Sequence, residues 1–352
     1  MSFSPNNPVR QYQGNEKASD HYTPVQGKKQ WHIIPFLLFI TYIFLAVMLI
    51  LSASYLLFFG GIPLNRIITG NDDIYFYFLL LLFEVPGVNL FGIVVIIVII
   101  YAVFTGAVGF AFNSHVRPFD NPNGFFGMMA PLLFILSAFI ILVESGLNIP
   151  IGGPVVTTTG SAFNIYRYFL NLIYAPFAEE LGFRILPIGI TTFIPFILYA
   201  RKKERSENGE PFEMNSLKAF GLYILSPGYM RKKFGGANKY IDFTMIILTS
   251  GLFAYAHVFF GLWSWGKLLP VFVGALILAV GYLKFGVYMD ILLHFFLNDV
   301  AGLLIAFPSS IGFIILLVLW SVIGTFIAIP YCLSSMVKFF SVSKQDSFFM
   351  KN

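Results

Sequence analysis

The stretch "IIPFLLFITYIFLAVMLILSASYLLFF", residues 33–59, contains no charged side chain. A helix crosses the hydrocarbon core of a bilayer with about 20 apolar residues, whereas a surface helix of a soluble protein keeps a polar face. Working outward, the same pattern predicts spans at 90–112, 129–147, 162–200, 240–262, 268–283, 287–306 and 311–337. Of the 352 residues, 57% are hydrophobic and 11% charged. That is too little charge to coat a water-soluble surface, where about a quarter of residues are charged. The expected fold class is all-α, a polytopic transmembrane helical bundle of about eight spans with its chemistry in the C-terminal half.

Punctuation between the spans sets the organisation. Residues 1–30 read as a polar, mobile N-terminal tail without the apolar core of a cleavable signal peptide. Lys28 and Lys29 close it against the first span. Residues 31–160 hold transmembrane helices without a motif. Within them, "IYFYFLLLLFEVPG" (74–87) is strongly apolar but too short to cross comfortably. It reads as a re-entrant or interfacial piece, or as an extension of the next helix. Residues 148–161 are a Gly/Pro/Thr loop. The run 162–200 is interrupted by Pro176, Pro187 and Pro195, which fits one kinked span behind an interfacial turn, or two short helices. The core 161–307 is interrupted by a long polar segment, 201–239, bearing Arg201, Lys202, Lys203, Arg205, Arg231, Lys232 and Lys233. Residues 308–352 form a last span and a basic tail.

The net charge of +5 is a topology signal rather than a nucleic-acid one. Basic residues concentrate in the tails and in 201–239, which places those segments and both termini on the cytoplasmic side of a cell membrane. The lone Cys332 excludes an intrachain disulfide and a Cys-rich metal site. No internal repeat suggests a transporter built from two halves.

Ionisable residues inside spans cost about 2.5–3.5 kcal/mol each on insertion scales, so each needs a reason. Glu84 and Glu144 lie near span ends and read as interfacial carboxylates. In "YAPFAEELGFRILP" (174–187), Glu180 and Arg184 stand four apart and can pair on one helix face. Glu179 points about 100° away from that face. It is either a spare carboxylate at the water interface or a desolvated general base. His257, in "FAYAHVFFG" (253–261), is either a hydrogen-bonded core residue or a catalyst. In "DILLHFFLND" (290–299), Asp290, His294 and Asn298 recur every four residues as one polar stripe. Such a stripe can join helices, or direct donors at a developing oxyanion.

Three short patterns occur in order: "EELGFR" (179–184) fits EExxxR, "FAYAH" (253–257) fits FxxxH and "HFFLN" (294–298) fits HxxxN. The third follows a Gly-punctuated helix, "GALILAVGYLKFG" (274–286). In this the chain resembles the CPBP intramembrane proteases (CAAX prenyl protease and bacteriocin-processing, or Abi, family), whose best known members are the type II CAAX prenyl endopeptidases. The resemblance covers about residues 167–302. It implies an endopeptidase in which Glu179 activates water, His257 assists, His294 and Asn298 stabilise the oxyanion, and Glu180 and Arg184 support the site. It implies the lipid bilayer and a peptide or membrane-protein substrate, prenylated or lipid-anchored, as partners, and no nucleic acid. It implies no cofactor. The alternative is a Zn²⁺ enzyme with Glu179, His257 and His294 as ligands, although no HExxH is present. A transporter and a non-catalytic membrane scaffold or immunity protein are the competing classes.

Overall fold

The computed structural model describes residues 33–59, 63–110, 122–150, 162–204, 212, 214–260, 263–306 and 311–349. The tail 1–30, most of the 148–161 loop and residues 205–211 lie outside them. The described residues form a helical bundle with one two-stranded hairpin. Helix α1 (Ile33–Ser54) runs into a π turn (Tyr55–Phe59), followed by α2 (Leu64–Thr69), β1 (Asn71–Phe78) and β2 (Leu81–Asn89). Then come α3 (Leu90–Phe110), α4 (Pro122–Gly127), α5 (Met129–Ile141), α6 (Ala162–Glu180), a second π turn (Leu181–Ile185) and α7 (Leu186–Glu204). The chain closes with α8 (Ser216–Leu225), α9 (Pro227–Phe234), α10 (Lys239–Phe259), α11 (Leu268–Phe285), α12 (Val287–Ala306) and α13 (Ile311–Phe349).

Among the described residues six helices are long and apolar enough to cross a membrane: Ile33–Phe58, Leu90–Gly109, Met129–Gly146, Tyr168–Glu204, Lys239–Phe259 and Trp265–Phe285. The last two predicted spans fall on α12 and α13. Large apolar side chains such as Ile50, Ile96, Val103, Leu198 and Phe326 are exposed, which suits a surface facing lipid acyl chains. The molecule is an integral membrane protein.

Helix α12 sits at the centre. Its Ile291, Leu292, Leu293, Phe295 and Phe296 are all buried, as expected of a helix that is hydrophobic all round. It packs on α6, α11, α1 and α3. Its polar stripe therefore points into protein rather than lipid, and Asp290, His294 and Asp299 are buried with it.

Three segments correct or refine the sequence reading. Residues 74–87 do not extend the next helix. They form most of an antiparallel hairpin pairing Phe78 with Leu81, Tyr77 with Leu82 and Tyr75 with Glu84. Tyr, Phe and β-branched residues favour a pleated strand, and Asn89 then caps α3 by accepting from the Gly92 amide at 2.9 Å. The run 162–200 is not two short helices but one rod, α6–π–α7, with Pro176 and Pro195 inside the helices. The basic segment 201–239 is largely folded: Asn215 caps α8 by accepting from Lys218 N at 2.8 Å, and Pro227 opens α9. Both pack on α7 through Phe196, Tyr223 and Met230.

Candidate active site

The two glutamates end α6, and the π turn begins at the next residue. Single π turns inside α-helices often mark functional positions. The local cause is legible. The Leu186 amide donates to Leu181 O, five residues back. By the same pitch the following amide would donate to Gly182 O, but residue 187 is proline and has no N–H. The freed Gly182 carbonyl instead accepts from the Leu79 amide of the hairpin at 3.2 Å.

A second proline does the same on the other side of the motif. Pro176 cannot donate to Leu172 O, four residues back. That carbonyl accepts from the Asn298 side-chain Nδ2 at 3.3 Å. Nearby, Ile173 O accepts from the Tyr101 hydroxyl at 2.8 Å. Asn298 thus has a structural task, satisfying a carbonyl that its neighbour helix cannot.

The side chains meet as follows. Glu180 is fully buried, and its Oε1 accepts from Arg184 Nη1 at 3.0 Å, the predicted i,i+4 pair. The same oxygen lies 2.5 Å from His294 Nδ1. A carboxylate accepts, so that ring nitrogen donates. His294 Nε2 lies 3.6 Å from Glu179 Oε2, too far for a direct hydrogen bond. The Glu179 side chain keeps 18% of its surface exposed. The helix-period reading separated the two glutamates by face, and His294 nevertheless lies within reach of both, one at each ring nitrogen.

His257 is half-buried in the last turn of α10, and its Nδ1 lies 3.0 Å from its own Phe253 O. A carbonyl only accepts, so Nδ1 carries a proton and the neutral ring presents a lone pair at Nε2. Phe253 spaces the site: its ring meets His257 at 4.6 Å and His294 at 6.0 Å between centroids. The Arg184 guanidinium lies over its face at 3.8 Å, a cation–π contact.

Asp290, one turn before His294, was read only as part of the stripe. Its carboxyl is fully buried and faces Glu180. No donor reaches Glu180 Oε2 or either Asp290 oxygen, and Arg184 Nε and Nη2 are without acceptors, among the described residues. Asp299 is partnered differently: both its oxygens lie within 2.9 Å of the Ser52 hydroxyl on α1.

A zinc site would need three converging donors. Among the described residues no three His, Cys, Asp or Glu side chains are grouped to hold a metal ion, Glu179, His257 and His294 included.

Residues 161–300 match the family described as type II CAAX prenyl endopeptidase Rce1-like. Over these residues the chain is similar to CAAX-type intramembrane proteases. The match spans α6 to α12 and contains all six candidate residues: Glu179, Glu180, Arg184, His257, His294 and Asn298. No curated protein and no solved structure matches the chain. An Rce1-like membrane protease implies peptide substrates and a lipid bilayer around the enzyme.

Proposed function

We propose that the protein is a glutamate-type intramembrane endopeptidase that hydrolyses a peptide bond near or within the membrane, in a prenylated or otherwise lipid-anchored substrate. One observation carries the reading. Of two adjacent glutamates, Glu180 is consumed by Arg184 and His294, while Glu179 keeps an exposed edge beside His294 Nε2. Glu180 and Arg184 orient the imidazole, and Glu179 is the base.

A water bridging Glu179 Oε2 and His294 Nε2 attacks the substrate carbonyl carbon and gives its proton to Glu179. The C–O bond forms, the carbonyl becomes an oxyanion, and the C–N bond then breaks as Glu179 returns the proton to the leaving amine. With the His294 ring doubly protonated, its Nε2–H donates to that water, whose two protons face Glu179 and the His257 Nε2 lone pair. Donation from His294 Nε2 to the oxyanion requires the doubly protonated ring, and the second Asn298 N–H is the other donor. The basic ends and the 201–239 segment support a cell-membrane protein with both termini in the cytoplasm.

The test is cleavage of a lipidated peptide by purified protein and by Glu179→Gln, with and without exhaustive chelation. Glu179→Gln should lose roughly 10²–10⁴-fold in turnover with its fold intact, and chelation should change nothing. Full activity in Glu179→Gln sinks the glutamate mechanism; activity that vanishes on chelation and returns with Zn²⁺ sinks the metal-free one.

A further inference from the structure

The hairpin lies outside residues 161–300, yet it is docked on the motif. Tyr77 O packs so closely on Gly182 that a Cβ there would collide with it. Glycine is thus the residue this approach requires. The Leu79 amide completes the contact by donating to Gly182 O. Leu79 adopts a positive φ of 53°, a conformation that bulky residues avoid and that the docking holds in place. On the other side the Tyr174 hydroxyl donates to Tyr75 O at 3.2 Å, and Phe76 meets the Tyr174 ring edge-on at 5.9 Å. The hairpin therefore grips α6 before the glutamates and the π turn after them.

This grip delivers one polar side chain. The Tyr77 ring stands 5.7 Å from Phe260 and 6.4 Å from Phe183, in the cluster that contains Phe253. Those rings flank His257 and the Glu179 turn. The Tyr77 hydroxyl bonds to none of the described residues. Burial first, and then the negative charge of Glu179, push its pKa above the usual tyrosine value. The hydroxyl is therefore held toward its protonated, donating form.

We propose that the hairpin 71–89 is a working part of the active site and that the Tyr77 hydroxyl is its contribution, a hydrogen-bond donor to the peptide substrate beside Glu179. The proposal rests on the reading of Glu179 as the base. It adds to His294 and Asn298 a third donor, from a part of the chain that carries no motif.

Two measurements on the full chain test it. In the cleavage assay, Tyr77→Phe removes one oxygen and keeps the ring packing. Its kcat should fall about 10²-fold, the cost of losing one oxyanion donor, with KM changed less than about 3-fold, since the bond strengthens mainly in the transition state. Tyr240→Phe, exposed at the start of α10 and outside the site, should match the wild type. In the second measurement, a phosphinate peptide that mimics the tetrahedral intermediate is titrated onto each protein. Tyr77→Phe should bind it at least about 10-fold more weakly. Unchanged kcat and unchanged phosphinate affinity in Tyr77→Phe overturn the proposal, as does a wild type that does not bind the phosphinate. Phosphinate binding that depends on Tyr77 in a protein that cleaves nothing would keep the donor and reject the protease reading.

Discussion

Two arginine–carboxylate pairs in this chain do different things. Arg231 on α9 has a partner at each guanidinium nitrogen: Nη1 and Nη2 donate to both oxygens of Asp242 at 2.7 and 2.8 Å, and Nε donates to the Tyr223 hydroxyl at 2.7 Å. That forked geometry fixes α9 to the start of α10. Arg184 is buried more deeply and bonded less. It gives Glu180 one bond, lays its plane on Phe253, and keeps two nitrogens without acceptors. Glu180 and Asp290 add three more unpartnered oxygens. Unsatisfied polar atoms are rare in native interiors and costly. Their concentration around one histidine, while the Arg231 pair has a partner at every nitrogen, is what the proposed chemistry would call for.

The contrast can be broken most severely at Arg184. Arg184→Ala leaves Glu180 buried with no cation, which should cost about 3–5 kcal/mol and appear as a collapse of folded yield in detergent. Normal yield with full turnover would mean that the pair has no part in the site. Arg231→Ala should cost less, about 1.5–3 kcal/mol, because it removes charge-assisted hydrogen bonds at a partly solvated position. Thermal unfolding of the purified protein should move down while kcat stays at the wild-type value. A kcat that drops with it would erase the distinction between the two pairs. The smallest effect sharpens the contrast and has the opposite sign. Asp290→Asn supplies an N–H donor facing Glu180 and should stabilise by about 1 kcal/mol, a rise in melting temperature accompanied by slower turnover. A lower melting temperature would show that the Asp290 carboxyl already has the partner it needs.

Much of this was legible residue by residue. Apolar run length located the membrane helices, because crossing a bilayer is a local length requirement. The spacing of Glu180 and Arg184 foretold their bond, and the four-residue stripe on α12 foretold which polar groups would point inward, because helical spacing alone decides both. The hairpin was not legible as a hairpin. Its run of apolar residues has no Asn-Gly turn signal, and its turn residue Leu79 is held by a contact to Gly182 made across the chain. The π turn after Glu180 was equally hidden. Pro187 marked an interruption, but whether a freed carbonyl is satisfied depends on which distant amide arrives. The double engagement of His294 followed from that same turn. The folding of 201–239 could have been read from Asn215 and Pro227, two helix-start signals outweighed by the density of lysine and arginine around them.

The bonds from Ser52 to Asp299, from Tyr101 to Ile173 O and from Leu79 to Gly182 O all run from the first third of the chain into the motif-bearing region. Translation makes α1, the hairpin and α3 well before Glu179 exists. Until the later helices arrive, the Ser52 hydroxyl, the Tyr101 hydroxyl and the Leu79 amide therefore lack these acceptors. Chain order thus makes the part without a motif a template and the motif-bearing half its guest. Residues 161–300 expressed alone would have no template to enter.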